Sequence, residues 1–289
     1  MTPELAGGLL LALASAAALN WGYFVQHGVA SELPPLTLRR PVASLMLLFG
    51  SPRWLVGFLV GIGGWLLYVA ALALAPLSLV QAASAGGIGL LALLVSRTAA
   101  LTRWERRGIA VSIGGLVLLG ASLTGQTTSK VSGAWPEVVA WVAVSLACAG
   151  LAALRPARWL SGGAGLGIAA GILYAAGDVS TKAAVPGGAS LAFVPVLLTC
   201  HGLAFVALQL GFQRGSVLAT AGLATLLTNA LPIAAGTTLF GEGLGSLPVL
   251  RVLAFACTVV GATLLARPGP AEHGEGASLP RPATPIPFD

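Results

Sequence analysis

Charge is what this 289-residue chain has least of: Asp, Glu, Lys and Arg make up 8% of it, against 56% hydrophobic residues. A soluble domain carries about a quarter charged residues, so this composition excludes one. Cysteine is equally thin. The three present, Cys148, Cys200 and Cys257, all fall inside apolar runs, where they act as small apolar residues and exclude a disulfide framework. No HExxH helix, GxSxG turn or Walker A loop occurs, so no enzyme activity and no ATP-driven pumping is expected. Acids inside the apolar runs are nearly absent too, with Asp178 alone lying well within one.

What the chain does have is apolar runs of the length a bilayer demands, about 20 residues each for a hydrocarbon core of about 30 Å. Nine are read: Leu5 to Gln26, Trp54 to Leu74, Leu77 to Ser96, Glu105 to Thr124, Ala134 to Leu154, Gly162 to Ala184, Ser190 to Phe212, Ser216 to Leu239 and Leu247 to Ala266. Backbone polar groups in lipid must be satisfied within the segment, and the runs lack the alternation of barrel strands, so they are helices. The expected fold is an all-α polytopic membrane protein. Residues 33–50 offer only Pro41 to Gly50 as an apolar stretch, and lengthening it would bury Arg39 and Arg40, each costing about 2.5–3.5 kcal/mol at a helix centre. A re-entrant or interfacial segment is the expectation there, with a tenth span as the alternative. Beyond Arg267 the tail, 268–289, is rich in Pro and Gly and reads as disordered.

Twelve of the 15 basic residues fall on one side of this arrangement: Arg39, Arg40, Arg53, Arg97, Arg103, Arg106, Arg107, Arg155, Arg158, Arg214, Arg267 and Arg281. Lys130, Lys182 and Arg251 fall on the other. By the positive-inside rule the first side is cytoplasmic, which puts the C-terminus inside and, with nine crossings, the N-terminus outside. The net charge of +6 therefore reports orientation in the cytoplasmic membrane and gives no reason to invoke nucleic acid. The first run is not read as a cleaved signal peptide, because Glu4 precedes it and no Lys or Arg does.

The halves of the chain resemble each other. Gly7-Gly8 and Leu19-Asn20-Trp21-Gly22 match Gly162-Gly163 and Tyr174-Ala175-Ala176-Gly177, and Gln26-His27 aligns with Thr181-Lys182. WLLYVAALAL from Trp65 lies opposite HGLAFVALQL from His201, and Gly115 corresponds to Gly261. Five crossings separate the starts of the two repeats, so they face opposite ways across the membrane, the pattern of alternating-access transporters. The expected organisation is a first repeat of four helices over 1–130, a connector helix over 131–160 and a second, inverted four-helix repeat over 161–267.

These features, with Ala75-Pro76-Leu77-Ser78-Leu79-Val80-Gln81 and Phe240-Gly241-Glu242, resemble the drug/metabolite transporter superfamily and its EamA-type members over about residues 1–267. The order of segments around Trp54 and Ala75-Pro76 is most similar to the branch of NIPA-type magnesium transporters. That branch tends to carry an acid in the helix after the tryptophans, where this chain has Gly64-Trp65, and this departure sets an organic solute ahead of Mg²⁺. The resemblance implies secondary transport of a small metabolite or drug-like compound by alternating access, with proton exchange as a conditional element; a Mg²⁺ or other cation carrier or channel is the alternative. Expected partners are the solute, protons, the bilayer and, as an option, a second copy of the chain; no cofactor is expected.

Asp178 is the leading site candidate, since an intramembrane carboxylate is costly unless it faces a polar cavity or a partner. Lys182 follows one turn later in the acid-before-base order of a local ion pair, which would account for both without a solute. His201, eleven residues into its run, can relay a proton or simply donate to a backbone carbonyl. Asn20, Gln81 and Asn229 place amides within runs, where they line a site or bind helices together. Trp21, Trp65 and Tyr174 can wall an apolar pocket. Trp54, Trp135 and Trp159, at run ends, read as interfacial anchors. Gly163, Gly167 and Gly171, and likewise Gly57 and Gly61, read as packing faces, and Glu242 as a structural or gating residue.

Overall fold

A computed structural model describes residues 3–36, 40–84, 87–98, 100–122, 135–154, 160, 162–241 and 248–267. Lys130, Trp159, Glu242, Arg39, Arg155, Arg158, Arg281 and the tail lie outside the described residues.

Proline marks many of the helix starts, since its fixed φ suits the first turn and its missing N–H costs nothing there. Helix α1 runs Pro3–Ala30, α2 Pro41–Phe49 and α3 Pro52–Leu74. Ser51 caps α3, its hydroxyl accepting from the Trp54 amide at 3.4 Å. The chain turns at Ala75, held extended (φ −144°, ψ 156°) ahead of Pro76, as a residue before proline must be. Then come α4 (Leu77–Ser84), α5 (Gly87–Ser96), α6 (Arg103–Ser122) and α7 (Trp135–Leu154). In the second half α8 is Ala164–Ala184, and a 3-10 turn over Gly188–Phe193 leads into α9 (Val194–Phe212). A π-helical turn, Leu218–Gly222, opens α10 (Leu223–Leu239), and α11 is Pro248–Leu265.

Among the described residues seven spans are long and apolar enough to cross a membrane: α1, α3, the stretch Leu79–Ser96, α7, α8, Gly188–Phe212 and Leu218–Leu239. The chain is an integral membrane protein. The basic start of α6 and the shorter apolar core of α11, Val252–Leu265, keep these two out of that set. Helix α2, with nine residues, is about 13 Å long. It is too short to cross, as expected of a re-entrant or interfacial segment.

Packing sets α1 against α3, α8 against α9, α10 and α7, α4 against α10, and α6 against α11. Helices α8 and α10 form the centre. In their most apolar windows 78% of residues are buried, against 17% for α7, which faces outward along most of its length. Close approach at the centre depends on glycine: a Cβ at Gly171 would meet the Ala224 backbone oxygen at 2.9 Å, and one at Gly167 the Thr220 oxygen at 2.6 Å. At the base of α6, the guanidinium groups of Arg103, Arg107 and Arg267 lie 4.7–5.6 Å from the Trp104 ring, joining α6 to the end of α11.

Candidate functional site

A cavity of about 510 Å³ opens between α1, α2, α3, α4, α8, α9 and α10. One helix irregularity lies beside its lining. Pro232, inside α10, has no N–H to give the Thr228 carbonyl one turn back. Thr228 and Asn229, on that turn, both line the cavity.

Asp178 holds one wall. Its Oδ2 accepts from the Gln81 amide nitrogen at 3.0 Å, and that nitrogen also donates to the Tyr68 hydroxyl at 2.7 Å. Tyr68 in turn hydrogen-bonds the carboxylate. Across from α9, His201 Nε2 stands 3.6 Å from Oδ1, an ion-pair distance longer than a hydrogen bond. The imidazole is seated by its surroundings: Nδ1 lies 2.8 Å from the Leu197 carbonyl, and the rings of Trp65 and Tyr174 meet it edge-on at 5.6 and 5.7 Å. Gly177 makes the seat possible, because a Cβ there would run into the imidazole.

Elsewhere along the cavity, Thr225 donates to Asn20 Oδ1 at 3.3 Å, and the Asn229 amide nitrogen to the Thr225 carbonyl at 2.6 Å. Two acceptors are left without a partner, Asn229 Oδ1 and Ser15 Oγ, on residues 2% and 1% exposed. A buried polar atom without a partner costs about 1–3 kcal/mol, and the indole Nε1 of Trp65, also a lining residue, is a donor left in the same position. At the far end an all-neutral chain links three helices. The Trp54 indole donates to Gln209 Oε1 at 3.1 Å, and Gln209 Nε2 to Gln26 Oε1 at 2.6 Å. Trp54 stacks on Phe58 (5.2 Å, 11°) and meets Phe49 and Phe205 edge-on.

Of the residues singled out from sequence, Asp178, His201, Asn20, Gln81, Asn229, Trp65 and Tyr174 all line this cavity. Trp21 and Lys182 are outside the lining: Trp21 is 37% exposed, and Lys182 Nζ donates to the Leu72 carbonyl at 3.4 Å. The imidazole that faces the carboxylate comes from α9. Trp54 differs from its reading as an interfacial anchor. It is fully buried, because α2 and α9 cover the end of α3 with Phe49, Phe205 and Gln209. Trp135, 46% exposed, remains at the surface. Sequence reasoning missed Ser15, Tyr23, Gln26 and Tyr68. The first three fall with Asn20 on the buried face of α1 at spacings of three to five residues, a polar stripe that could have revealed them.

A helical membrane protein with one carboxylate on the wall of a central cavity belongs to the architecture expected of a solute carrier. The chain is similar to a probable magnesium transporter of Arabidopsis thaliana, NIPA9, at 27% identity over 280 residues, which cover 89% of this chain and 81% of that protein. No family model and no solved structure matches it.

Proposed function

We propose that this chain is a transporter of hydrated divalent cations, Mg²⁺ first among them. The similarity to a probable magnesium transporter reverses the order reached from sequence, where the missing acid at Gly64-Trp65 put an organic solute first. A single carboxylate is compatible with this cation on physical grounds. Among the described residues no three His, Cys, Asp or Glu side chains converge as a metal cage. Mg²⁺ does not need one, because it sheds water reluctantly and is usually held through one or two carboxylates and several retained waters.

The observation that carries the reading is Asp178 on the cavity wall together with the unpartnered acceptors Asn229 Oδ1 and Ser15 Oγ. Coordinated water is a strong hydrogen-bond donor, so a hydrated cation supplies both the charge that the carboxylate wants and the hydrogens that these oxygens lack. The like pairing of α1 with α3 and of α8 with α9, and the pairings of α4 with α10 and α6 with α11, support two inverted repeats of the EamA type working by alternating access. The arginine bias supports insertion in the cytoplasmic membrane with the C-terminus inside.

Mg²⁺ uptake into liposomes holding the purified chain and a trapped indicator tests this. Uptake above empty liposomes, lost in Asp178→Asn, is the expected result; no uptake across a range of gradients would refute it. The aromatic rings of Trp65 and Tyr174, against the imidazole that faces the same carboxylate, favour an organic cation as a second reading. Inhibition of binding by tetraalkylammonium ions but not by Mg²⁺ would select it.

A further inference from the structure

Three guanidinium groups meet over one indole at the junction of α6 and α11. Arg103 and Arg107 stand 5.3 and 5.6 Å from the centre of the Trp104 ring, and Arg267, at the end of α11, stands 4.7 Å from it. An indole has two faces, so at least two of the three cations share one. Arginine is charged at every physiological pH, and all three charges lie well within a Debye length, about 8 Å, of the same ring. Attraction to the π electrons holds each cation singly. It does nothing for their repulsion of one another, which an anion relieves.

No side chain of the described residues fills that role. Among them no carboxylate stands within ion-pair distance of these arginines, and the guanidinium N–H groups donate to no protein acceptor. Glu105, the acid in the same turn, is turned back on its own helix start, where it accepts from the Thr102 amide at 2.8 Å. All three arginines are exposed. Stacking occupies the flat of a guanidinium and leaves the N–H groups along its edge unspent, in the fork that fits two oxygens of a phosphate.

The cluster stands at the depth of bilayer phosphates. It occupies the basic start of α6 and follows closely on Val252–Leu265, the apolar core of α11, which sets it at the headgroup level where tryptophan also concentrates. Below it the surface turns apolar. The face of α6 that carries Arg103 and Arg107 continues with Ala110, Gly114 and Val117, all exposed, and a Cβ at Gly114 would meet nothing. On α11 the face below Arg267 continues with Thr263 and Val260, also exposed. Free phosphate would use the arginines alone, whereas a lipid uses the apolar flank as well.

We propose that Arg103, Arg107 and Arg267 form a binding site for the phosphate of an anionic glycerophospholipid, whose acyl chains lie along the exposed flank of α6 and α11. The site is apart from the cavity, to whose lining neither helix contributes, so its occupancy is read independently of what the cavity carries.

Native mass spectrometry tests this on the full chain, purified in mild detergent and mixed with equal amounts of dioleoylphosphatidylglycerol and dioleoylphosphatidylcholine. Preferential retention of phosphatidylglycerol is expected. The preference should fall about fivefold in each of Arg103→Gln, Arg107→Gln and Arg267→Gln, and stay unchanged in Arg53→Gln, which removes an exposed arginine at the start of α3. Because it is a ratio of two lipids on the same folded population, a lower yield of a variant does not imitate the effect. Equal retention of both lipids by the parent chain, or a preference lowered as much by Arg53→Gln as by Arg267→Gln, would overturn the site. Displacement of phosphatidylglycerol by millimolar inorganic phosphate would overturn it in favour of free phosphate. A preference that appears only when Glu272→Gln and Glu275→Gln are combined would overturn it too, assigning the arginines to the chain's own acids.

Discussion

The two ends of the cavity are built on opposite terms. Toward Asp178 a carboxylate faces an imidazole beyond hydrogen-bond distance, and the lining residues Asn229 and Ser15 each carry an oxygen without a partner. Around Trp54 every link of the chain Trp54, Gln209, Gln26 is neutral and bonded, under a layer of aromatic rings. Both ends are polar and buried, so burial alone does not distinguish a binding site from a structural tie. What distinguishes them is satisfaction: one end leaves hydrogen-bonding groups without partners, and the other uses them to fix α1, α3 and α9 to one another.

Substitutions can break this contrast. The largest effect is expected at the satisfied end, where Trp54→Ala removes a fully buried ring and should cost about 3–5 kcal/mol of stability. Thermal unfolding in detergent reads it, and a Tm close to the parent's would deny the tie. Next comes Asp178→Asn, which should lower Mg²⁺ affinity by about 2 kcal/mol, about thirtyfold, with stability held or raised, since a buried charge is removed. A large drop in Tm with normal Mg²⁺ binding would invert the assignment of the two ends.

Gln209→Leu should destabilise by about 1–2 kcal/mol by orphaning the Trp54 N–H and the Gln26 oxygen, leaving Mg²⁺ affinity within about twofold. Smallest is Asn229→Ala. Its Oδ1 has no partner in the empty cavity, so stability should move by less than about 1 kcal/mol while Mg²⁺ affinity falls a few-fold. Equal affinity in parent and variant, measured by calorimetry, would remove Asn229 from the set of groups that meet the cation.

Much of the fold was legible because lipid leaves the backbone few choices. Long apolar runs punctuated by Pro52, Pro76 and Pro248 locate the helices to within a few residues. Each of the nine runs overlaps a helix of the structure, and among the described residues seven spans are apolar and long enough to cross a membrane. The short α2 was legible as well, since Arg39 and Arg40 directly precede the apolar stretch in the sequence. The polar candidates inside the runs were readable too, because a carboxylate, an imidazole or an amide is conspicuous among Ala and Leu.

Partnerships were harder to read. Local spacing points from Asp178 to Lys182, four residues on, whereas the imidazole opposite the carboxylate comes from 23 residues away. It gets there because Gly177 leaves room, a fact that α8 and α9 decide only by packing. Trp54 sits at the end of an apolar run, and nothing in that run says that Phe49, Phe205 and Gln209 will close over it. Trp21 is flanked by site residues in sequence yet projects from another side of α1.

A void of about 510 Å³ has room for on the order of ten water molecules. An ion held there is therefore met at the edge of its hydration sphere, and the chain has little means of counting ligands or measuring bare radius. Discrimination falls instead to valence and to how firmly an ion grips its water. Divalent ions with a tenacious sixfold shell would compete with Mg²⁺ on nearly equal terms, while softer ions that seek thiolate or imidazole would find too few such ligands to hold them.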